Sequence, residues 1–244
     1  MTVKGEECYE EKNFALFCAA VLAAAGSVNA FAAEDSGTEQ RQQVSKTIKY
    51  YGTLQKTGEA GSGKFLLNGQ PAGAAEKQDV ILNLSDETLI LNAVDGLPVA
   101  AEDIQDGEMA YVYVSPAMAL SYPPQFSAYV ILTKIPADYR VPSLEEVKNL
   151  TMNEDGSAVV ETVSGVTYQV PADCTMVPYL TRNMVYVSSL TEGTNFLVWS
   201  EPSQDGQTER ASKITVFLKG QLGFDEPSGP AEEAEMQAGL ISLN

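Results

Sequence analysis

The strongest constraint on what this chain can fold into is an internal repeat. Leu84, Asp86, Thr88 and Leu89 lead to Ile104, Gly107 and the run Ala110-Tyr111-Val112-Tyr113-Val114. Val170, Asp173, Thr175 and Met176 lead in the same way to Leu190, Gly193 and Phe196-Leu197-Val198-Trp199-Ser200. The offset is 86 or 87 residues at every one of these positions. Each copy then closes with one more run, Ala128-Tyr129-Val130-Ile131-Leu132 and Ser212-Lys213-Ile214-Thr215-Val216. A constant offset over so many positions indicates duplicated modules.

Within a copy, short β-branched and aromatic runs are broken by Gly, Asn, Asp and Pro, the pattern of strands and turns. Runs at 47–55, 64–67, 79–84, 108–115 and 127–135 predict the strands of the first module. Helical spacing is confined to 143–147 and to 231–238. A sheet of about five strands removes its aggregation-prone edges by closing into a small barrel. The expected fold is therefore all-β, with two tandem small β-barrel modules of OB-like or SH3-like type, about five strands each. The first covers 47–136 and the second 143–219. Pro136 and Pro142 make the junction short and stiff, so the modules are expected to pack together.

The flanks differ from the modules. The stretch from Phe14 to Ala25 is apolar and of signal-peptide length, too short for a bilayer, which needs about 20 residues. Ala30-Phe31-Ala32 follows as an A-x-A cleavage site, so residues 1–32 read as a signal peptide cut before Ala33. Four glutamates, Glu6, Glu7, Glu10 and Glu11, depart from the usual positive leader and move the expected start of translation toward Lys12. Cys18 is not a lipidation site, because bulky Phe17 precedes it. Residues 33–46 are polar and aperiodic, a flexible leader, and 220–244 form an acidic tail rich in Pro and Gly. No second apolar segment and no LPxTG-type signal follows, so the expected location is extracellular, released or held at the envelope by something it binds.

Composition now excludes whole classes of chemistry. Cleavage after Ala32 takes two lysines and four glutamates from 15 basic and 33 acidic residues, leaving 13 and 29, a net charge of −16 over 212 residues. Such a surface repels nucleic acid and anionic membranes, and it suits a soluble monomer or a cationic partner. Only Cys174 remains of the 3 cysteines, so no internal disulfide can form. The chain has no histidine. Histidine metal sites, Ser-His-Asp triads and Cys-His pairs are excluded together.

The runs YVYVSPAMALSYPPQ, YQVPADCTMVPYLTRN and LTEGTNFLVWS resemble uncharacterised secreted proteins of clostridial-type gut bacteria. Those proteins carry paired small β-modules, sometimes ahead of a domain like the N-terminal domain of copper amine oxidases, a part that this sequence does not contain. The resemblance spans most of residues 47–218. It implies export and the paired-module layout, and it carries no activity.

Several motifs invite a sharper reading. Residues 58–64 fit G-x-x-x-x-G-K, but Phe65 stands where a phosphate-binding loop needs Ser or Thr, and the loop leads into a strand-like run. A Gly-rich hairpin is expected instead. From Gln78 to Thr133 there is no Lys or Arg but eight acids, Asp79, Asp86, Glu87, Asp95, Glu102, Asp103, Asp106 and Glu108. Calcium takes 6–8 oxygens, so Asp103 and Asp106 before Gly107 are the candidate metal ligands; the plainer reading is a solvated acidic face. Two carboxylates could hydrolyse a glycoside, although small barrels offer no deep cleft for it.

The segment 115–126 links two strands with Met, Tyr, Phe and Pro rather than polar residues, whereas its counterpart at 201–207 is an ordinary polar turn. Proline-stiffened apolar loops lose little entropy on binding. This one either covers the other module or contacts an outside partner through Met118, Tyr122, Pro123 and Phe126. Tyr179 and Arg182 pair an aromatic with a planar cation, a sugar-stacking arrangement unless Arg182 pairs with an acid. Cys174 reads as a buried, inert thiol and Trp199 as core of the second module. No catalytic constellation emerges. The expectation is a secreted, non-catalytic binding or accessory protein without a cofactor, recognising an envelope or environmental polymer or another secreted protein. The alternative is a calcium-responsive extracellular structural protein.

Overall fold

The computed structural model describes residues 46–58, 63–203 and 206–224. Over these residues the chain is built of strands, with two single-turn 3-10 segments. The first module contains β1 (Ile48–Lys56), β2 (Lys64–Pro71), β3 (Gln78–Asn83), β4 (Leu89–Asn92), β5 (Glu108–Ala119) and β6 (Gln125–Thr133). The second contains β7 (Ser143–Met152), β8 (Ala158–Thr162), β9 (Thr167–Val170), β10 (Thr175–Pro178), β11 (Asn195–Pro202) and β12 (Glu209–Val216). Among the described residues no helix is long and apolar enough to cross a membrane.

Both modules close into five-stranded barrels by the same route. An antiparallel meander β1-β2-β3 meets β6 in parallel, β6 pairs with β5, and β5 returns to β1. The second ring runs β7-β8-β9-β12-β11 and back to β7, again with one parallel contact, β9 to β12. This Greek-key order is OB-like, which settles the choice left open between OB-like and SH3-like barrels. Neither β4 nor β10 belongs to its ring; each lies parallel to the last strand of its barrel, on β6 and β12.

The repeat is structural as well as textual. Ile104 and Leu190 each follow a 3-10 turn, Ala101–Asp103 or Val187–Ser189, and each is buried in its own barrel. Three residues later Gly107 and Gly193 adopt φ of +83° and +79°, and their amides donate to Leu54 and Val147 at equivalent points of β1 and β7. A left-handed residue there turns the chain directly into the fourth barrel strand, which favours glycine.

The fourth strands show why their sequences are continuously apolar. Along β11, Phe196 and Val198 point into the barrel core, while Leu197 and Trp199 join a separate cluster between the barrels. Along β5, Ala110, Val112 and Val114 fill the first core, and Tyr113 faces the same junction. Strands covered on both faces lose the apolar-polar alternation. Tyr113 and Trp199 are repeat-equivalent, at an offset of 86, so the barrels meet through corresponding faces.

Three expectations are corrected. Residues 143–147 begin β7, not a helix; the apparent period arose because Leu144, Glu145 and Val147 are all buried, on both faces of the strand. Trp199 belongs to the inter-barrel cluster instead of the core of the second barrel. The expected tail from 220 is not all tail, since Leu222 is buried in the junction and the Phe224 ring packs edge-on against Tyr129 of the first barrel. The region 231–238 lies outside the described residues, as do 1–45.

Candidate functional site

Beyond Tyr113 the β5–β6 hairpin changes character. Its register shifts twice, so four residues of β5 span from Val114 to Met118 while β6 advances only from Ala128 to Phe126. The ladder resumes beyond this bulge, where Met118 pairs with Phe126 and Ala119 with Gln125. The tip is tied by its own hydrogen bonds: Ser121 N–H donates to Ala119 O at 2.9 Å, and Ser121 Oγ to Pro123 O at 2.7 Å. Ile81 N–H, on β3, donates to Pro124 O at 2.8 Å and anchors the tip to the neighbouring strand. On this braced backbone Leu120 and Tyr122 are 94 % and 101 % exposed, with Met118 half exposed beside them. Pro123, which follows a cis bond from Tyr122, is partly covered.

Phe126 does not belong to this surface. It is 4 % exposed, packs against Tyr50 at 5.6 Å between ring centres and forms part of the first core. Alternation explains the difference, because Phe126 is already in β6 with its side chain inward. The hairpin end also does not cover the second barrel, given the exposure of Leu120 and Tyr122. Leu120, which no local sequence signal marks, is the exposed neighbour of Tyr122.

Tyr179 and Arg182 separate in the same way. Tyr179 is buried at the junction against Phe217, with ring centres 5.0 Å apart, so it presents no face to a sugar. Arg182 is exposed and, among the described residues, makes no ion pair. Its neighbours Leu180, Met184 and Tyr186 are also exposed, a second apolar loop beside the first 3-10 residue of the second module.

The acids of the first module do not converge. Asp79 accepts from the Asn68 side chain, and Asp106 Oδ1 accepts the Lys56 amide at 2.7 Å. Lysine ammoniums already occupy the carbonyls that a cation would need: Lys56 Nζ donates to Glu102 O and Lys134 Nζ to Asp103 O. Among the described residues no group of three or more His, Cys, Asp or Glu side chains is arranged to hold a metal. No third Asp or Glu side chain joins Asp103 and Asp106 among the described residues. Glu108 is committed elsewhere. Burial raises its pKa, but hydrogen bonds from the Gln105 amide, Thr133 Oγ1 and Lys134 outweigh this and hold it at about 2.

The described ends of the glycine-rich motif adjoin β1 and β2, which pair antiparallel, and Lys64 opens β2; residues 59–62 lie outside the described residues. The Cys174 thiol is half-buried, and burial, followed by the charge of Asp173, pushes it up to about 11. It is a poor nucleophile at neutral pH.

What the sequence did not single out lies between the barrels. Trp199 Nε1 donates to Ala93 O at 2.9 Å, and the Leu144 amide donates to Tyr113 Oη at 2.9 Å, so the two equivalent aromatics each bond to the backbone of the opposite module. Beside them opens a cleft of about 240 Å³, lined by Lys46, Lys49 and Tyr113 on one side and Leu144, Glu145 and Ser164 on the other. Glu145 is 8 % exposed; Ser164 Oγ donates to its Oε2 at 2.6 Å and Tyr168 Oη to its Oε1 at 3.2 Å. Desolvation raises the Glu145 pKa despite those hydrogen bonds and the nearby Lys49 charge. Desolvation lowers that of Lys49, with the Glu145 charge acting in opposition. Pairs of groups shifted by burial mark sites as well as structural networks. In sequence Glu145 is simply one of two adjacent acids, and no local signal identifies it.

No protein-family model matches this chain, and no curated protein matches it significantly.

Proposed function

We propose that this chain is an exported, non-catalytic binding protein that recognises an envelope or environmental polymer, or another secreted protein, through the end of the β5–β6 hairpin. One observation carries the reading: Leu120 and Tyr122 stand fully in solvent on a tip that hydrogen bonds hold in place. A backbone already fixed has little freedom left to lose on contact, which lowers the entropic cost of binding. A tyrosine face also suits a sugar ring, having an apolar body with a polar end.

Barrel geometry supports the same surface by analogy. OB-type barrels bind oligosaccharides and oligonucleotides on the second and third strands and the loops beside them, including the loop between the fourth and fifth. Here that loop is the hairpin end, and Ile81 of β3 holds it. A net charge of −18 disfavours nucleic acid and other polyanions, which leaves neutral polymers and cationic proteins.

The test is co-sedimentation of the purified protein with bacterial cell walls and with neutral insoluble polysaccharides, beside pull-down from culture supernatant. The double variant Leu120→Ser, Tyr122→Ser should lose at least tenfold in affinity with unchanged circular dichroism, since neither side chain supports the core. Retained binding by this variant would overturn the assignment.

A further inference from the structure

The cleft between the barrels holds an ammonium and a carboxyl group that feel each other's charge without forming an ion pair. Lys49 Nζ lies over the rings of Tyr111 and Tyr113, 5.0 and 5.5 Å from their centres, and among the described residues it makes no hydrogen bond and no ion pair. An ammonium carries three donors, and withdrawing it from water without an acceptor is costly. The aromatic faces compensate only in part, typically by about 0.5–2 kcal/mol. Glu145 lines the same cleft from the other barrel, nine-tenths buried, with Ser164 and Tyr168 fixing both oxygens. A carboxylate has about four lone-pair sites, so acceptor capacity remains even with the Thr162 hydroxyl counted. No contact within 4.0 Å joins Glu145, on β7, to Lys49, on β1. Lys46, also on the cleft, is engaged by Glu146 at 3.1 Å.

A fixed ammonium and a fixed carboxylate on opposite walls complement a molecule that carries both charges. A simple anion drawn to Lys49 would be repelled by Glu145, and a simple cation would meet the reverse. At about 240 Å³ the cleft suits a small molecule and not a polymer. We propose that the inter-barrel cleft binds a small zwitterion of the α-amino acid class, its carboxylate on Lys49 and its ammonium on Glu145, with the Tyr113 ring as one wall. Because residues of both barrels form the site, the ligand would also tie the modules together. This inference is independent of the polymer-binding surface.

Isothermal titration and thermal-shift measurements on the whole protein test it with L-alanine, acetate and methylammonium as probes. Alanine should bind and raise the melting temperature, and acetate and methylammonium should each bind at least tenfold more weakly. Lys49→Met keeps the apolar stem and Glu145→Gln keeps the side-chain shape and one acceptor oxygen, and each should weaken alanine binding at least tenfold. The Leu120→Ser, Tyr122→Ser variant should bind alanine like the parent, which separates failure here from failure of the proposed function. Absence of alanine binding at tens of millimolar would overturn the proposal, as would acetate binding as tightly as alanine. Both of those results come from the unmodified protein and stand even if a variant does not fold.

Discussion

Replacing Gly96 by alanine loads two separable penalties onto the junction between the barrels. Gly96 has φ of +76°, where an L-residue costs roughly 1–2 kcal/mol. A Cβ at this position would also lie 2.9 Å from Trp199 Cη2, against a favourable carbon-carbon separation of about 3.5–4.0 Å. The indole cannot step aside cheaply. Its Nε1 donates to Ala93 O, Lys213 Nζ sits 4.3 Å over its ring, and that same ammonium donates to Asp95 O at 2.6 Å. Overpacking of this kind costs about 1–3 kcal/mol, so Gly96→Ala should destabilise the protein by about 2–5 kcal/mol in all. In a Trp199→Leu background the ring atom is gone, and the same substitution should cost only the backbone part, about 1–2 kcal/mol. The coupling between the two sites is therefore expected to be about 1–3 kcal/mol. Equilibrium urea unfolding of the four proteins, followed by far-ultraviolet circular dichroism, measures it. Equal costs of Gly96→Ala in both backgrounds, within about 0.5 kcal/mol, would refute the packing argument at the junction.

Two more predictions concern single polar groups. Tyr113→Phe removes the oxygen that accepts the Leu144 amide and strands a buried donor, which should cost about 1–3 kcal/mol in urea unfolding; an unchanged midpoint would mean that the amide finds another acceptor. Glu108, held at about 2 in the folded state against about 4.3 unfolded, stabilises the fold fully above about pH 4.3 and loses that contribution as pH falls toward 2. Glu108→Gln should accordingly be less stable than the parent at pH 7, with a gap that narrows between pH 4.3 and 2. A gap that is constant with pH would show that the Gln105, Thr133 and Lys134 hydrogen bonds do not favour the charged form.

Much of each barrel was readable because its signals are local. Turn glycines such as Gly107 and Gly193 need a particular backbone angle, and their spacing records the duplication. The predicted strand at 108–115 falls four residues short of the end of β5, because Pro116 and the small residues around it break the alternation where the hairpin bulges. β4 was missed as a strand, since four residues, Leu89–Asn92, carry too little pattern and only the parallel contact with β6 makes them one. Phe126 and Tyr179 were placed in loops by their proline-rich surroundings; burial depends on which neighbour arrives, and local composition does not contain it.

By itself the sequence determined the all-β class, the two-module layout and the exclusion of histidine chemistry, because periodicity, turn residues and composition are properties of the chain alone. Tertiary structure decided the order of strands round each barrel, the outward thrust of Leu120 and Tyr122, and the placing of Lys49 and Glu145, 96 positions apart in the chain, on one cleft. Those features arise where two separately closed surfaces come together. Their energies depend on pairs of residues remote in sequence, such as Trp199 with Gly96 and Tyr113 with Leu144, and no local pattern records which of those pairs will form.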